Sequence, residues 1–209
     1  VMDGCELSNN HAFGVTLTDG ASAVVTDTVI SDVRDNELGE VWGALWAQDG
    51  STLEVDGCTI DGATTSGIYA LEEGTSVVVT DTVIRGVVPD ASALYGHALG
   101  VGLGASLTAS GLTLEDNTGV AVMVSDQGSM ASVVDSTIRE TQRGEFYTVS
   151  QGIAVQLGAQ FSGERLVVEG TEGPALLAAY DPTVLACVDC ELTGAEFAGV
   201  LVLGGANLM

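Results

Sequence analysis

The chain has 209 residues, 46% of them hydrophobic, which is ample for a continuous core. It holds no run of about 18 uninterrupted apolar residues of the kind that spans a bilayer. Twenty-nine acidic residues stand against five arginines and no lysine, a formal net charge of −24. This excludes nucleic acid, which needs a basic footprint, and an anionic membrane surface; self-repulsion on this scale is eased by salt or divalent cations.

The chain opens with Val1-Met2-Asp3-Gly4-Cys5-Glu6-Leu7, the tail of a phrase whose complete copies begin at Gly20, Gly50, Gly74, Gly104, Gly128, Gly158 and Pro182. The spacings alternate between 30 and 24 residues. A fixed period in this range is the signature of a solenoid. Three and five residues after each anchor lie Ala23 and Val25, Leu53 and Val55, Val77 and Val79, Leu107 and Ala109, Ala131 and Val133, Phe161 and Gly163, Leu185 and Cys187. Residues two apart share one face of a strand, so these two columns predict an inward face.

Seven steps after the anchor comes a turn column of Asp27, Gly57, Asp81, Gly111, Asp135, Arg165 and Asp189. Asp and Gly tolerate the left-handed and Asx-turn backbone required there. A second short strand then carries an inward aliphatic: Ile30, Ile60, Ile84, Leu114, Ile138, Val168 or Leu192. A third strand reads Gly-aliphatic-any-aliphatic, as in Gly14-Val15-Thr16-Leu17, Gly67-Ile68-Tyr69-Ala70, Gly119-Val120-Ala121-Val122, Gly152-Ile153-Ala154-Val155 and Gly199-Val200-Leu201-Val202.

Three short strands per coil, stacked so that like residues lie over like, define the expected fold class: an all-β, single-stranded, right-handed parallel β-helix of about seven to eight coils, alternating between 24 and 30 residues. An antiparallel β-sandwich also has many short strands, but it gives no reason for fixed spacings. No stretch shows 3.6-residue periodicity, so helices do not compete.

This grammar resembles the right-handed parallel β-helix proteins of the pectate-lyase-like superfamily. The resemblance runs over nearly the whole chain and rests on phrases such as Val-Val-Thr-Asp-Thr-Val-Ile at 24–30 and again at 78–84, and Glu-Val-Asp-Gly-Cys-Thr-Ile at 54–60. It implies an extracellular or cell-surface protein that binds or cuts polysaccharide, or serves as a stalk or adhesin segment; a fold does not fix which. Lyases of this kind use an Arg or Lys base beside acidic calcium ligands. None of Arg34, Arg85, Arg139, Arg143 and Arg165 lies in a version of that motif, and there is no lysine for the polygalacturonase pattern.

The longer coils carry their extra residues between the second and third strands, around 34–41, 88–95 and 141–150. Stacked strands lie about 4.8 Å apart, so these inserts should emerge on one edge at intervals of roughly 10 Å. They bring Trp42, Tyr95, Phe146 and Tyr147 together with Asp35, Glu37, Glu40, Asp90 and Glu145. Outward positions of the third strand are expected at Thr16, Leu45, Tyr69, Leu99, Ala121, Ala154, Leu176 and Leu201. So apolar a face is expected to be covered by the inserts, with an open binding surface as the alternative.

The expected ligand contacts are therefore Trp42, Tyr69, Tyr95 and Tyr147, since sugar rings stack on aromatic faces. For catalysis the candidates are His97, placed where the third strand's Gly normally sits, with Glu40 and Asp90; a His beside carboxylates can act as general acid or base. No metal site or cofactor is expected. Asp27, Asp81, Asp135 and Asp189 lie on alternate coils, too far apart to share a calcium ion, which leaves only scattered weak calcium binding. Cys5 and Cys58 share an inward column two coils apart, beyond disulfide reach, whereas Cys187 and Cys190 face inward across one turn and suit a local disulfide.

The chain begins and stops in mid-coil, which suggests one domain, residues 1–209, cut from a longer protein with its caps missing. Open coil ends and strand edges make end-to-end or edge self-association a further expectation. The functional expectation is a secreted or surface scaffold that binds polysaccharide or a surface protein without cleaving it. Alternatives are a lyase or hydrolase sited on the insert edge, and a structural stalk.

Overall fold

The computed structural model describes residues 1–36, 42–90, 96–144 and 150–209. Among these, three sheets of nine, eight and eight strands run along the molecule and no helix occurs. The first sheet stacks Met2–Asp3, Ser22–Thr26, Thr52–Asp56, Ser76–Thr80 and their successors up to Asn207–Leu208. The second runs from Glu6–Ser8 through Val29–Ser31 to Glu191–Thr193, and the third from Phe13–Leu17 to Ala198–Leu203. Every strand pairs in parallel with the equivalent strand of the neighbouring coil, for example Ser76↔Ser106 and Ile84↔Leu114. The molecule is a right-handed parallel β-helix.

The core follows from the columns. Ile30, Ile60, Ile84, Leu114, Ile138 and Val168 are fully buried one above another, each contributing about 1.5–3 kcal/mol of apolar burial. Every residue of the turn column lies in the left-handed region, with φ between 46° and 67°. The alternation of Asp and Gly in this column has a packing cause. A Cβ at Gly57 would meet Asp27 Oδ1 at 2.8 Å, and one at Gly111 would meet Asp81 Oδ1 at 2.2 Å. Each Asp therefore leans over the Gly of the next coil. Arg165 instead turns its guanidinium onto Asp135, 2.6 Å away.

Buried hydroxyls close the backbone ladder at the corners. Cys58 N donates to Thr82 Oγ1 at 3.3 Å, and Leu112 N donates to Ser136 Oγ at 3.0 Å. Gly50 N likewise donates to Thr75 Oγ1 at 3.1 Å. Cys58 is buried in this same column and, like the exposed Cys5, is a free thiol. Cys187 and Cys190 form a disulfide.

The third sheet departs from the sequence reading by one or two residues in several coils. His97 pairs with Ser66 and Leu99 with Ile68, so Ala98, not His97, stands level with Gly67. Gly14, Ala44, Gly67, Ala98, Ala121, Gly152, Ala175 and Gly199 form one column of small residues. A Cβ at Gly67 would meet Ile84 Cγ2 at 2.6 Å, which limits this position to Gly or, with slight adjustment, Ala. Because Ala fills it in half the coils, neighbouring Gly43 and Gly119 misalign the pattern. Leu45, Leu99, Ala121 and Leu176 consequently belong to the core. The outward column is Thr16, Trp46, Tyr69, Gly100, Met123, Ala154, Leu177 and Leu201.

Long and short connections alternate between the second and third sheets: residues 32–42, 86–96 and 140–150 are long, whereas 62–65 and 116–119 are short. The long ones start in register with the coil before, through bridges Thr64↔Val88 and Thr118↔Gln142. All three thus leave the same corner, beside the outward face of the third sheet.

Candidate functional site: an aromatic cleft on the third sheet

Outward aromatics at this corner form a continuous chain across successive coils. Phe13 and Trp42 lie parallel with centroids 6.3 Å apart, and Trp42 meets Trp46 edge-on at 5.3 Å. Trp46 stacks on Tyr69 at 4.9 Å, and Tyr69 lies 6.2 Å from the His97 ring. Their positions follow from register: Trp46 and Tyr69 are Cα partners in adjacent strands. Trp46 Nε1 donates to Gln48 Oε1 at 2.8 Å, which orients its indole, and Ser66 Oγ donates to the Trp42 carbonyl at 2.6 Å, which anchors the Trp42 backbone. Trp46 and Tyr69 are buried against each other, whereas Trp42 is 46% exposed.

A cleft of about 450 Å³ opens along this chain. Trp42, Trp46 and Tyr69 line it together with Leu71 and Leu103. Its polar lining is Thr65, Ser125, Asp90 and Asp126. Asp126 Oδ2 accepts from Ser125 Oγ at 3.0 Å and from Leu103 N at 3.4 Å. Thr65 is 4% exposed, and its hydroxyl has no hydrogen-bond partner among the described residues. Such a lining, largely apolar with a few polar groups, is the usual make-up of a small-molecule or oligomer site.

No arginine lines the cleft. Each of the five is engaged elsewhere: Arg34 with Asp32, Arg85 with Asp61, Arg139 with Glu115, Arg143 with Glu196, and Arg165 with Asp135 and Glu164. The cleft is therefore acidic, with Asp90 and Asp126 both partly buried at its surface.

Of the residues expected from sequence, Trp42, Tyr69 and Asp90 come together in this cleft. Glu40, Tyr95 and Tyr147, with Glu37, Glu145 and Phe146, lie outside the described residues. His97 stands behind Tyr69 and is 4% exposed; burial lowers its pKa to about 4, against a weaker raising effect of a backbone hydrogen bond at Gly96. It is neutral at pH 7 and shielded from solvent. Asp35 is placed away from the cleft lining, its carbonyl 2.7 Å from His11 Nδ1.

Trp46, Leu71, Leu103 and Asp126 are the residues that sequence reading missed. Trp46 could have been found by strand alternation counted from the small-residue column, which puts Ala44, not Gly43, level with Gly67. Leu103 and Asp126 carry a different signal. They occupy one column with Glu72, Leu157 and Tyr180, just after the third strand, and all five have φ between 53° and 74°.

Three parallel sheets wound in one sense define a parallel β-helix, here with an aromatic cleft at one corner. Residues 1–138 match the family described as the right-handed β-helix region, and the chain belongs to that family. No curated protein matches the chain. Among solved structures it is similar to HetL, a pentapeptide repeat protein involved in heterocyst differentiation regulation from the cyanobacterium Nostoc sp.. The identity is 11% over 98% of this chain and 87% of that one, with a TM-score of 0.23, too low to carry an argument about this molecule.

Proposed function

We propose that this β-helix is a non-catalytic binding module that takes a polysaccharide chain in the Trp42 cleft, outside the cell or at its surface. The carrying observation is the cleft itself: an exposed indole, a second indole and a phenol ring beside it, and two carboxylates, with Trp46 and Tyr69 on paired strands and Trp42, Asp90 and Asp126 on the connections next to them. Sugar rings offer an apolar C–H face and a rim of hydroxyls, which suits aromatic walls combined with carboxylate acceptors. Paired strands hold Trp46 and Tyr69 in place before the ligand arrives, which lowers the ordering cost of binding. The disulfide between Cys187 and Cys190 supports an oxidising compartment.

The state of His97 counts against it as the acid or base of a hydrolase: its imidazole is buried behind Tyr69 and held neutral. Glycoside hydrolysis would then fall to a pair of carboxyl groups. Calorimetric titration against soluble polysaccharides, followed by chromatography of the recovered polymer, tests both parts. The expected result is saturable binding with unchanged polymer length. Shortened polymer, with turnover lost in Asp90→Asn or Glu40→Gln, would replace the module by an enzyme.

A further inference from the structure

Building on that reading of the cleft, we infer that its ligand class is an uncharged polysaccharide and that anionic uronate polymers are excluded. Two carboxylates, Asp90 and Asp126, line the cleft, and no basic side chain does so. The five arginines are committed to ion pairs away from it, in a molecule of net charge −24. A uronate carried into this cleft would meet like charge from Asp90 and Asp126, with no arginine in the lining to pair with it. Sugar hydroxyls carry no such penalty and can donate to the carboxylates in charge-assisted hydrogen bonds. The Thr65 hydroxyl, buried at the cleft and without a partner among the described residues, is a further polar group at this site.

Leu103 adds an apolar side chain to the same cleft. It stands at φ 53°, in the left-handed region that favours Gly, Asn and Asp and disfavours a leucine. Its column neighbour Asp126 shows what the turn would accept, yet Leu103 keeps an apolar side chain that is 54% exposed. Leu157 repeats this conformation in the same column, at φ 56° and 49% exposed, away from the cleft lining. At the cleft, Leu103 and Trp42 offer apolar walls to the uncharged C–H surface of a sugar ring.

The test titrates the protein in chelator with a soluble neutral β-glucan and with polygalacturonate, at about 20 mM and about 500 mM salt. The expected result is saturable glucan binding that is nearly independent of salt, and no polygalacturonate binding at either salt. Leu103→Asp should weaken glucan binding about tenfold while the urea midpoint stays the same or rises, because Asp suits the left-handed turn. Asp90→Asn should also weaken it. Polygalacturonate binding as tight as glucan binding would overturn this inference yet leave the binding module standing. Failure of both polymers to bind would overturn both, and undiminished glucan binding by Leu103→Asp would remove Leu103 from the site.

Discussion

The ring of Tyr69 lies directly over Gly100 on the next coil, where an added Cβ would come within 2.2 Å of Tyr69 Cε2. Glycine at this outward position is thus a seat for the aromatic wall of the cleft. Gly100→Ala should force Tyr69 off Trp46 and cost about 1–3 kcal/mol, the range for overpacking. Urea unfolding reads the cost, and near-ultraviolet circular dichroism reads the lost stacking. Gly20→Ala, where a Cβ meets nothing within 4 Å, should destabilise through its positive φ alone and leave the near-ultraviolet signal unchanged.

Burial of His97 makes stability depend on pH. Its folded pKa is about 4 against 6.5 for the exposed group. Above 6.5 the imidazole is neutral in both states and contributes no slope. As pH falls from 6.5 to about 4 the unfolded chain takes up a proton that the folded one refuses, so stability drops, by roughly 3 kcal/mol in total. His97→Gln should flatten this part of the urea-midpoint profile. An unaltered slope in the variant would mean that His97 protonates within the fold.

Stacked acids act in the opposite sense. The pKa of Glu72 is raised by Asp49, and that of Glu140 by Asp116, first through side-chain hydrogen bonds and then through charge. A carboxyl whose folded pKa is raised favours the fold below its unfolded value and loses that contribution as pH rises through the folded one. At neutral pH both pairs are therefore repulsive, and salt should screen them. Added sodium chloride should raise the midpoint at pH 7, and Glu72→Gln with Glu140→Gln should reduce that salt dependence.

Ser136 tests the corner ladder. Its hydroxyl accepts from Leu112 N at 3.0 Å and donates to the Val134 carbonyl at 2.7 Å while 3% exposed. Ser136→Ala strands a buried N–H and should cost about 1–3 kcal/mol. Ser136→Thr keeps the hydroxyl, as Thr82 does in the equivalent position, and should restore most of that loss.

The coil architecture was legible because stacking repeats each residue's surroundings. Ile30 over Ile60 over Ile84, and Asp27 alternating with Gly57 and Asp81, mark inward and turn positions before any coordinates. The cleft was only partly legible. Trp42 and Tyr69 stood out as aromatics, but Trp46 was lost because Leu45 was assigned the outward position level with Tyr69, which Trp46 holds. Burial of His97 depends on side chains from neighbouring coils, which a one-dimensional pattern does not rank. The left-handed backbone that Leu103 shares with Leu157 becomes visible only when φ is known.

The chain has two tryptophans, and both Trp42 and Trp46 line the cleft, so tryptophan emission reports on this site alone. The most direct test titrates the protein with a soluble neutral β-glucan while recording tryptophan fluorescence and heat together. The account predicts that emission changes in step with binding heat, and that Trp42→Ala, with Trp46 retained, abolishes both. Saturating heat with no change in emission would place the ligand elsewhere on the β-helix and contradict it.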